Sequence, residues 1–332
     1  MTQDFLEALP QHIVKLVDNL DLVERHEHYS QREEAVESVL EQTVLRGGKR
    51  LRPLLTFLMG EFLGASSQQI IPFAKASELV HAASLAHDDV IDQAQTRRGQ
   101  SSINVVSSNK KAILAGDYLL ADVIVALSHY GTPEILREMS LVIQELSLGE
   151  WLQLETSQNK DYTAEKIENM ARYKTSSVIR WCSVAPALLA QHPPEVIEEC
   201  RSFGDQLGLA FQLIDDTLDF AKSSAKDQYL DLNNGQVNSV VFSWLSRHPE
   251  TFAIYKASSG EGVLAKLLEG ADLSDDITKV RAQAHEHLEA CQANLDRLEE
   301  LLRQQSSDKT EDLSEKRESL NLVLAFLAAR NS

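Results

Sequence analysis

Apolar residues recur at three- and four-residue spacing along most of the chain, over 11–28, 31–46, 51–63, 69–93, 110–129, 133–157, 163–172, 175–191, 194–222 and 278–304. That is the period of one helix face, whereas a half-buried strand alternates with period two. No convincing alternating strand of useful length is found. With 14 Gly and 8 Pro spread through 332 residues, little interrupts long helices. Breaks fall at "RGGKRLRP", "LGASSQQ", "TRRGQSS", "HYGTPE", "QHPPE" and "NNGQ", where turn-forming residues cluster. Pro133 and Pro194 are each followed by Glu, which suits a first helical turn. The pattern predicts an all-α chain. One domain is expected over 1–332, with "QQSSDKTEDLSEKRESL" (304–320) as a surface loop or frayed helix before a last helix.

Net charge is −18 and the pI is near 5.0, which argues against nucleic acid or an anionic membrane surface as a main partner. Anionic substrates stay open, because bound metal ions invert the local sign. Cys182, Cys200 and Cys291 are far apart and odd in number, so neither a disulfide framework nor zinc spacing follows. A reducing, cytoplasmic setting is expected. The first twenty residues lack the basic and apolar regions of a signal peptide. The most apolar run, "AILAGDYLLADVIVALS", contains Asp117 and Asp122 and reads as a buried helix too short to span a bilayer.

Two acidic turns stand out. "HDDVID" carries Asp88, Asp89 and Asp92, and "IDDTLD" carries Asp215, Asp216 and Asp219. On a helix each trio makes one patch, at a cost of about a few tenths of a kcal/mol from like charges at i,i+4. One such turn alone is ordinarily a solvated face or a cap. Two, each following an apolar run, favour a pair of Mg²⁺ sites, since hard divalent ions take carboxylates plus substrate phosphate oxygens. Facing each other across a bundle core, they would clamp a metal–diphosphate.

Basic groups lie nearby in sequence. "RGGKRLRP" sets Lys49, Arg50 and Arg52 at a loop-to-helix junction, where backbone amides and side chains favour an anion. His81 precedes Asp88 by two turns on the same face, although a lone helix histidine is more often structural. Arg97 and Arg98 follow the helix end and could reach back, one toward each of two diphosphates. Lys174 and Thr175 sit at an expected helix start, and Gln212 shares a face with the second acidic turn.

In order along the chain, "GGKRLRP", "ELVHAASLAHDDVID", "RRG", "NKKAILAGDYLL", "GEWLQLE", "YKTSSVI" and "FQLIDDTLDF" resemble a trans-type polyprenyl diphosphate synthase, most closely the octaprenyl, solanesyl and heptaprenyl branch. The matching motifs span 46–241. The resemblance implies a single-domain bundle of long helices around a central apolar cavity, of isoprenoid synthase type, and a homodimer. It implies condensation of isopentenyl diphosphate onto an allylic diphosphate, farnesyl or geranyl. The steps would be ionisation to an allylic cation, attack by the isopentenyl double bond and proton loss. Asp88, Asp89, Asp92, Asp215, Asp216 and Asp219 would hold Mg²⁺, three ions per active site with substrate bound. Arg97, Lys174, Thr175 and Gln212 would hold the allylic diphosphate, and Lys49, Arg52, His81 and Arg98 the isopentenyl diphosphate.

In such enzymes the helix below the first acidic turn lines the product tunnel. Val80, Ala83 and Ser84 are small or slender there, and no aromatic residue intervenes between Phe73 and Asp88. A long-chain product is expected, a farnesyl- or geranylgeranyl-length product being the alternative. The chain departs from the family at "AKSSAKDQYLDLNNGQVNSVV" (221–241), where Lys226 stands for the first expected lysine and Gln236 for the second. "VVSSNKK" also lacks the bulky-Gly pair expected before the Asn. The altered segment leaves a partner-dependent subunit as a competing reading. A terpene cyclase normally lacks a second DDxxD, and a phosphohydrolase suggested by His87–Asp88 would explain neither that second turn nor the basic motifs.

Overall fold

The computed structural model describes residues 1–23, 31–220, 236–259, 262–305 and 310–330, the side chains of 31, 32 and 310–312 aside. Among these the chain is all-α, as its periodicity requires. In chain order the helices are α1 (Gln3–Ala8), α2 (Gln11–Asp18), α3 (Gln31–Gln42), α4 (Leu51–Phe62), α5 (Ser67–Ile91), α6 (Ile103–Val106), α7 (Asn109–Tyr130) and α8 (Pro133–Asn159). There follow α9 (Ala164–Ala171), a wide π-type turn (Arg172–Ser176), α10 (Ser177–Leu189), α11 (Pro194–Leu218), α12 (Ser239–Arg247), α13 (Pro249–Ala257), α14 (Val263–Leu267), α15 (Ser274–Gln305) and α16 (Thr310–Ala328). Pro133 and Pro194 open α8 and α11, where their fixed φ and missing N–H cost nothing.

Two compact units result. The first comprises Met1–Ile143, Trp181–Ile197 and Leu302–Leu320, the second Gln144–Arg180, Glu198–Leu301 and Asn321–Ser332. In the first, α4 buries Leu54, Leu55, Phe57, Leu58, Met59 and Phe62. It approaches α5 so closely that a Cβ on Gly60 would lie 2.6 Å from Ile70 Cγ1. The start of α5 is fixed by a capping box between Ser66 and Gln69. Toward its N-terminal end Phe73 meets Trp181 at 6.4 Å between ring centroids. Trp181 Nε1 donates to the Phe73 carbonyl at 3.3 Å. Burying each such ring contributes about 1.5–3 kcal/mol before entropy is counted. The second unit has its own core, including Tyr162, Met170, Val241, Trp244, Leu245 and Tyr255.

Four sequence expectations need correction or refinement. A two-residue antiparallel hairpin, β1 (Thr96–Arg97) with β2 (Gln100–Ser101), carries the "RRG" motif. It is too short to show alternation, and its turn rests on left-handed Arg98 and Gly99, φ 53° and 74°. Next, α7 is a 22-residue helix, long and apolar enough to cross a membrane by length and composition, with only 33% of its most apolar window buried. Ser108 accepts from Lys111 N at 3.3 Å and starts the helix ahead of the apolar run. Leu114 and Val125, three turns apart, are 65% and 64% exposed. Thirdly, the stretch expected as a surface loop or frayed helix takes the helical alternative where it is described: α15 runs to Gln305 and α16 begins at Thr310, leaving 306–309 outside the described residues. Lastly, α5 and α11 end at Ile91 and Leu218, earlier than the periodicity suggests. Lys226 and the rest of 221–235 also lie outside the described residues. Beyond them Asn238 caps α12, accepting from Val241 N at 3.0 Å.

Candidate active site

The first acidic turn closes α5. Asp88 and Asp89 occupy its last turn and Asp92 is the C-cap residue, its N–H returning to the Asp88 carbonyl at 2.8 Å. Asp89 is fully buried. Its Oδ1 accepts from Arg97 Nε at 2.6 Å and its Oδ2 from Ile103 N at 3.4 Å. A buried carboxylate needs such partners, and the β1–β2 hairpin supplies the cation by folding back over the helix end. Arg98 turns the other way. Its Nη1 donates to the Arg46 carbonyl at 3.3 Å and would lie 2.8 Å from a Cβ on Gly48. The glycine therefore admits the guanidinium against the "RGGKRLRP" loop.

That loop ends at Arg50, in left-handed conformation, whose Nη1 donates to the Val17 and Leu20 carbonyls at 3.1 and 2.9 Å. Arg50 is thus a structural anchor, while Lys49 is exposed beside it. His81 is held well below the usual imidazole range by burial, then by the charges of Arg52, Arg98 and Arg97. Those cations therefore gather around His81, which stays neutral among them. Adjacent to Asp88, His87 points to α7, within 3.3 Å of Asp117 Oδ1 and 3.2 Å of the Ile113 carbonyl. A Cβ on Gly116 would meet its ring at 2.4 Å. His87 locks two helices together, which removes the motive for a hydrolytic His-Asp pair. Below the turn, Val80 and Ala83 are fully buried, and Ser84 Oγ donates to the His81 carbonyl at 2.9 Å.

The second acidic turn closes α11. Asp216 is buried, accepting from Gln212 Nε2 at 2.7 Å and Ser239 N at 2.9 Å. Burial still raises its pKa, with Asp215 adding to the rise and these hydrogen bonds opposing it. Asp215 Oδ1 pairs with Arg330 Nη1 at 2.9 Å, and the same guanidinium lies 5.4 Å from the Phe211 ring centroid. Asp219, just past the helix end, accepts from Asn238 Nδ2 at 3.3 Å. Both acidic turns thus bind a protein cation at hydrogen-bond distance, and all their donors are carboxylate oxygens. That donor chemistry fits a hard divalent cation. Among the described residues no three His, Cys, Asp or Glu side chains converge as a ready-made metal cage.

Lys174 and Thr175 sit in the wide turn, where π-type geometry is frequent at functional sites. Thr175 Oγ1 donates to Gln212 Oε1 at 2.5 Å, so Gln212 bridges the turn to Asp216. Lys174 Nζ donates to Gln153 Oε1 at 2.9 Å and pairs with Glu150. Sequence reasoning quoted "GEWLQLE" without assigning Glu150 or Gln153 a role. Their i,i+3 spacing beside Gly149 was the available signal. Arg330 and Asn238 were missed as well, with no motif to flag them.

Residues 33–269 match the family described as polyprenyl synthetase. A mitochondrial solanesyl-diphosphate synthase of Oryza sativa subsp. japonica is 34% identical over 263 residues, covering 72% of this chain and 61% of that protein. A decaprenyl-diphosphate synthase of Dictyostelium discoideum is 34% identical over 266 residues, covering 79% of this chain and 57% of that protein. The chain thus spans about three fifths of the length of these relatives. The solved structure of a decaprenyl diphosphate synthase from Rhodobacter capsulatus has the same fold, with TM-score 0.81 over 99% of both chains at 23% identity. A family match across both acidic turns and the basic motifs between them makes the assignment plain: this chain belongs to the polyprenyl synthetase family.

Proposed function

We propose that the protein is a Mg²⁺-dependent prenyltransferase that condenses isopentenyl diphosphate with an allylic diphosphate to give a long trans-polyprenyl diphosphate. The observation that carries this reading is the crowding of a cation-binding carboxylate and anion-binding cations in one place. Asp89 holds Arg97, and Arg97, Arg52 and Arg98 surround His81. Mg²⁺ on the six aspartates would neutralise charge developing on the departing diphosphate. Lys174, Thr175 and Gln212 hold the allylic diphosphate, Lys174 already steered by Glu150 and Gln153. Arg97 serves the same group, while Arg52, Arg98, Lys49 and neutral His81 hold the isopentenyl diphosphate. Fixed cations stabilise the leaving charge without reorganising. Buried apolar residues such as Val80 and Ala83 keep water from the allylic cation.

Product length follows from α5. From Asp88 it descends past Ser84, Ala83 and Val80 to Phe73, fifteen residues and about 22 Å at 1.5 Å per residue. There Trp181 packs on Phe73 and makes a floor. Leu114 and Val125 on α7 support a homodimer, and three buried free cysteines support a reducing cytoplasm. A single domain over 1–332 remains part of the same proposal.

Asp88→Asn and Asp215→Asn test the reaction. Mg²⁺-dependent incorporation of labelled isopentenyl diphosphate into extractable product should fall by about a thousandfold or more in each, as when transition-state charge loses its partner. Incorporation unaffected by both changes would sink the proposal.

A further inference from the structure

The wide turn that carries Lys174 and Thr175 is held from two sides by one repeated pattern. Along α8, Glu145, Gly149 and Gln153 follow at successive turns. Along α11, the order carboxylate, glycine, amide returns as Asp205, Gly208 and Gln212. Residues three or four apart share a helix face, so each helix offers the turn a stripe of the same chemistry.

Each level of the stripe has a distinct contact. The amides take the two ligand side chains: Gln153 accepts from Lys174, and Gln212 accepts from Thr175. The glycines permit close approach. A Cβ at Gly208 would lie 2.3 Å from Ser176 Cα, and one at Gly149 would lie 2.9 Å from Tyr173 Cβ and 2.7 Å from Lys174 Cγ. The carboxylates converge on Arg180, one turn beyond the wide turn. Its Nη1 donates to Asp205 Oδ1 at 2.9 Å and its Nη2 to Glu145 Oε2 at 2.5 Å. Ser176 Oγ adds a bond to the Asp205 carbonyl at 2.9 Å. Ser177 Oγ donates to the Tyr173 carbonyl at 2.6 Å.

Arg180 is only 8% exposed. A buried ion triad often does no better for stability than apolar residues of similar volume; its best-attested use is to specify register. A planar guanidinium with fixed donors suits that task, because it reaches two carboxylates in a set geometry. We propose that Arg180 is a positioning residue: by bridging Glu145 and Asp205 it draws α8 and α11 onto the wide turn and fixes Lys174 and Thr175 in register to hold the allylic diphosphate. Arg180 itself touches no substrate. The inference rests on the reading of Lys174 as a diphosphate ligand.

The test uses the triple variant Arg180→Met, Glu145→Gln, Asp205→Asn, which removes the triad without leaving an unpaired buried charge. Amide hydrogen exchange over 172–178 should accelerate by about tenfold or more, while Val241 and Leu245 in the second unit's core keep their protection. Affinity for farnesyl diphosphate with Mg²⁺ should fall about tenfold. In a Lys174→Met background the same triple change should cost less than about twofold, because residues acting through one another are not additive. Equal losses in both backgrounds, or unchanged exchange over the turn, would overturn the proposal. If Lys174→Met alone leaves the affinity unchanged, the reading of Lys174 as a ligand fails instead, and the exchange experiment still decides whether the Arg180 triad, together with the Asp205 carboxylate's own contacts to Ser176 Oγ at 3.2 Å and Arg172 at 3.8 Å, sets the turn.

Discussion

Gly208→Ala should reverse the usual sign of that substitution within a helix. In an exposed helix interior alanine is favoured by about 0.8–1.0 kcal/mol. Gly208 lies inside α11, so propensity alone would make the variant more stable. The new Cβ, however, would lie 2.3 Å from Ser176 Cα and 2.7 Å from Ser176 Oγ. Carbon atoms rest at about 3.5–4.0 Å, so the two backbones must part by more than about 1 Å. A Cα cannot rotate aside as a side chain does, and Ser176 is tied to the Asp205 carbonyl. Overpacking costs about 1–3 kcal/mol, here toward the upper end. Less the propensity gain, the net loss is about 1–2 kcal/mol, or about 5–30-fold in the folded-to-unfolded ratio. Urea unfolding should show a lower midpoint at unchanged slope, with weaker farnesyl diphosphate binding beside it. Gly149→Ala makes the contrast, because its nearest neighbour is the flexible Lys174 side chain: binding should suffer more than stability. A Gly208→Ala protein with a raised midpoint and undiminished binding would refute the close-approach argument.

Other changes probe the remaining parts of the site. Trp181→Ala removes the ring packed on Phe73, the proposed floor of the product tunnel, and should lengthen the products while costing about 3–5 kcal/mol of stability; unchanged or shorter products would refute that proposal. His81 is neutral in the folded chain, whereas an unfolded histidine takes up a proton below about pH 6.5. Its contribution is therefore complete above that pH and is lost as pH falls through it toward the lower folded value. His81→Leu should flatten that part of the unfolding-midpoint curve between about pH 7.5 and 5.5, and an unaltered slope would count against a neutral His81. Arg330→Gln frees Asp215 of its cation and should lower the Mg²⁺ concentration needed for half-maximal diphosphate binding by about several-fold. A raised requirement would mean that Arg330 assists the site instead.

Much of this was legible in the sequence because helix periodicity survives wherever one face is buried. Pro133, Pro194 and both acidic turns could be read directly, since each is a local pattern. The π-type turn was visible only as a gap between two periodic segments, 163–172 and 175–191. Widening the turn shifts the phase without disturbing composition. Arg180 gave no local sign at all, because Glu145 and Asp205 lie 35 and 25 residues away in sequence. The hairpin carrying Arg97 was missed because two-residue strands cannot alternate. The exposed face of α7 was hidden because an apolar run broken only by Asp117 and Asp122 reads the same whether a neighbour covers it or not.

The most direct test of the whole account is an Mg²⁺-dependent incubation with labelled isopentenyl diphosphate and farnesyl diphosphate, with products resolved by chain length. Elongation well beyond four isoprene units is the expected result, and it would require both a working diphosphate site and open space along α5 below Ser84 and Ala83. A stop at four units would keep the chemistry and refute the tunnel. No elongation from any allylic primer, with diphosphate binding intact, would contradict the proposed activity and point to a subunit that needs a partner.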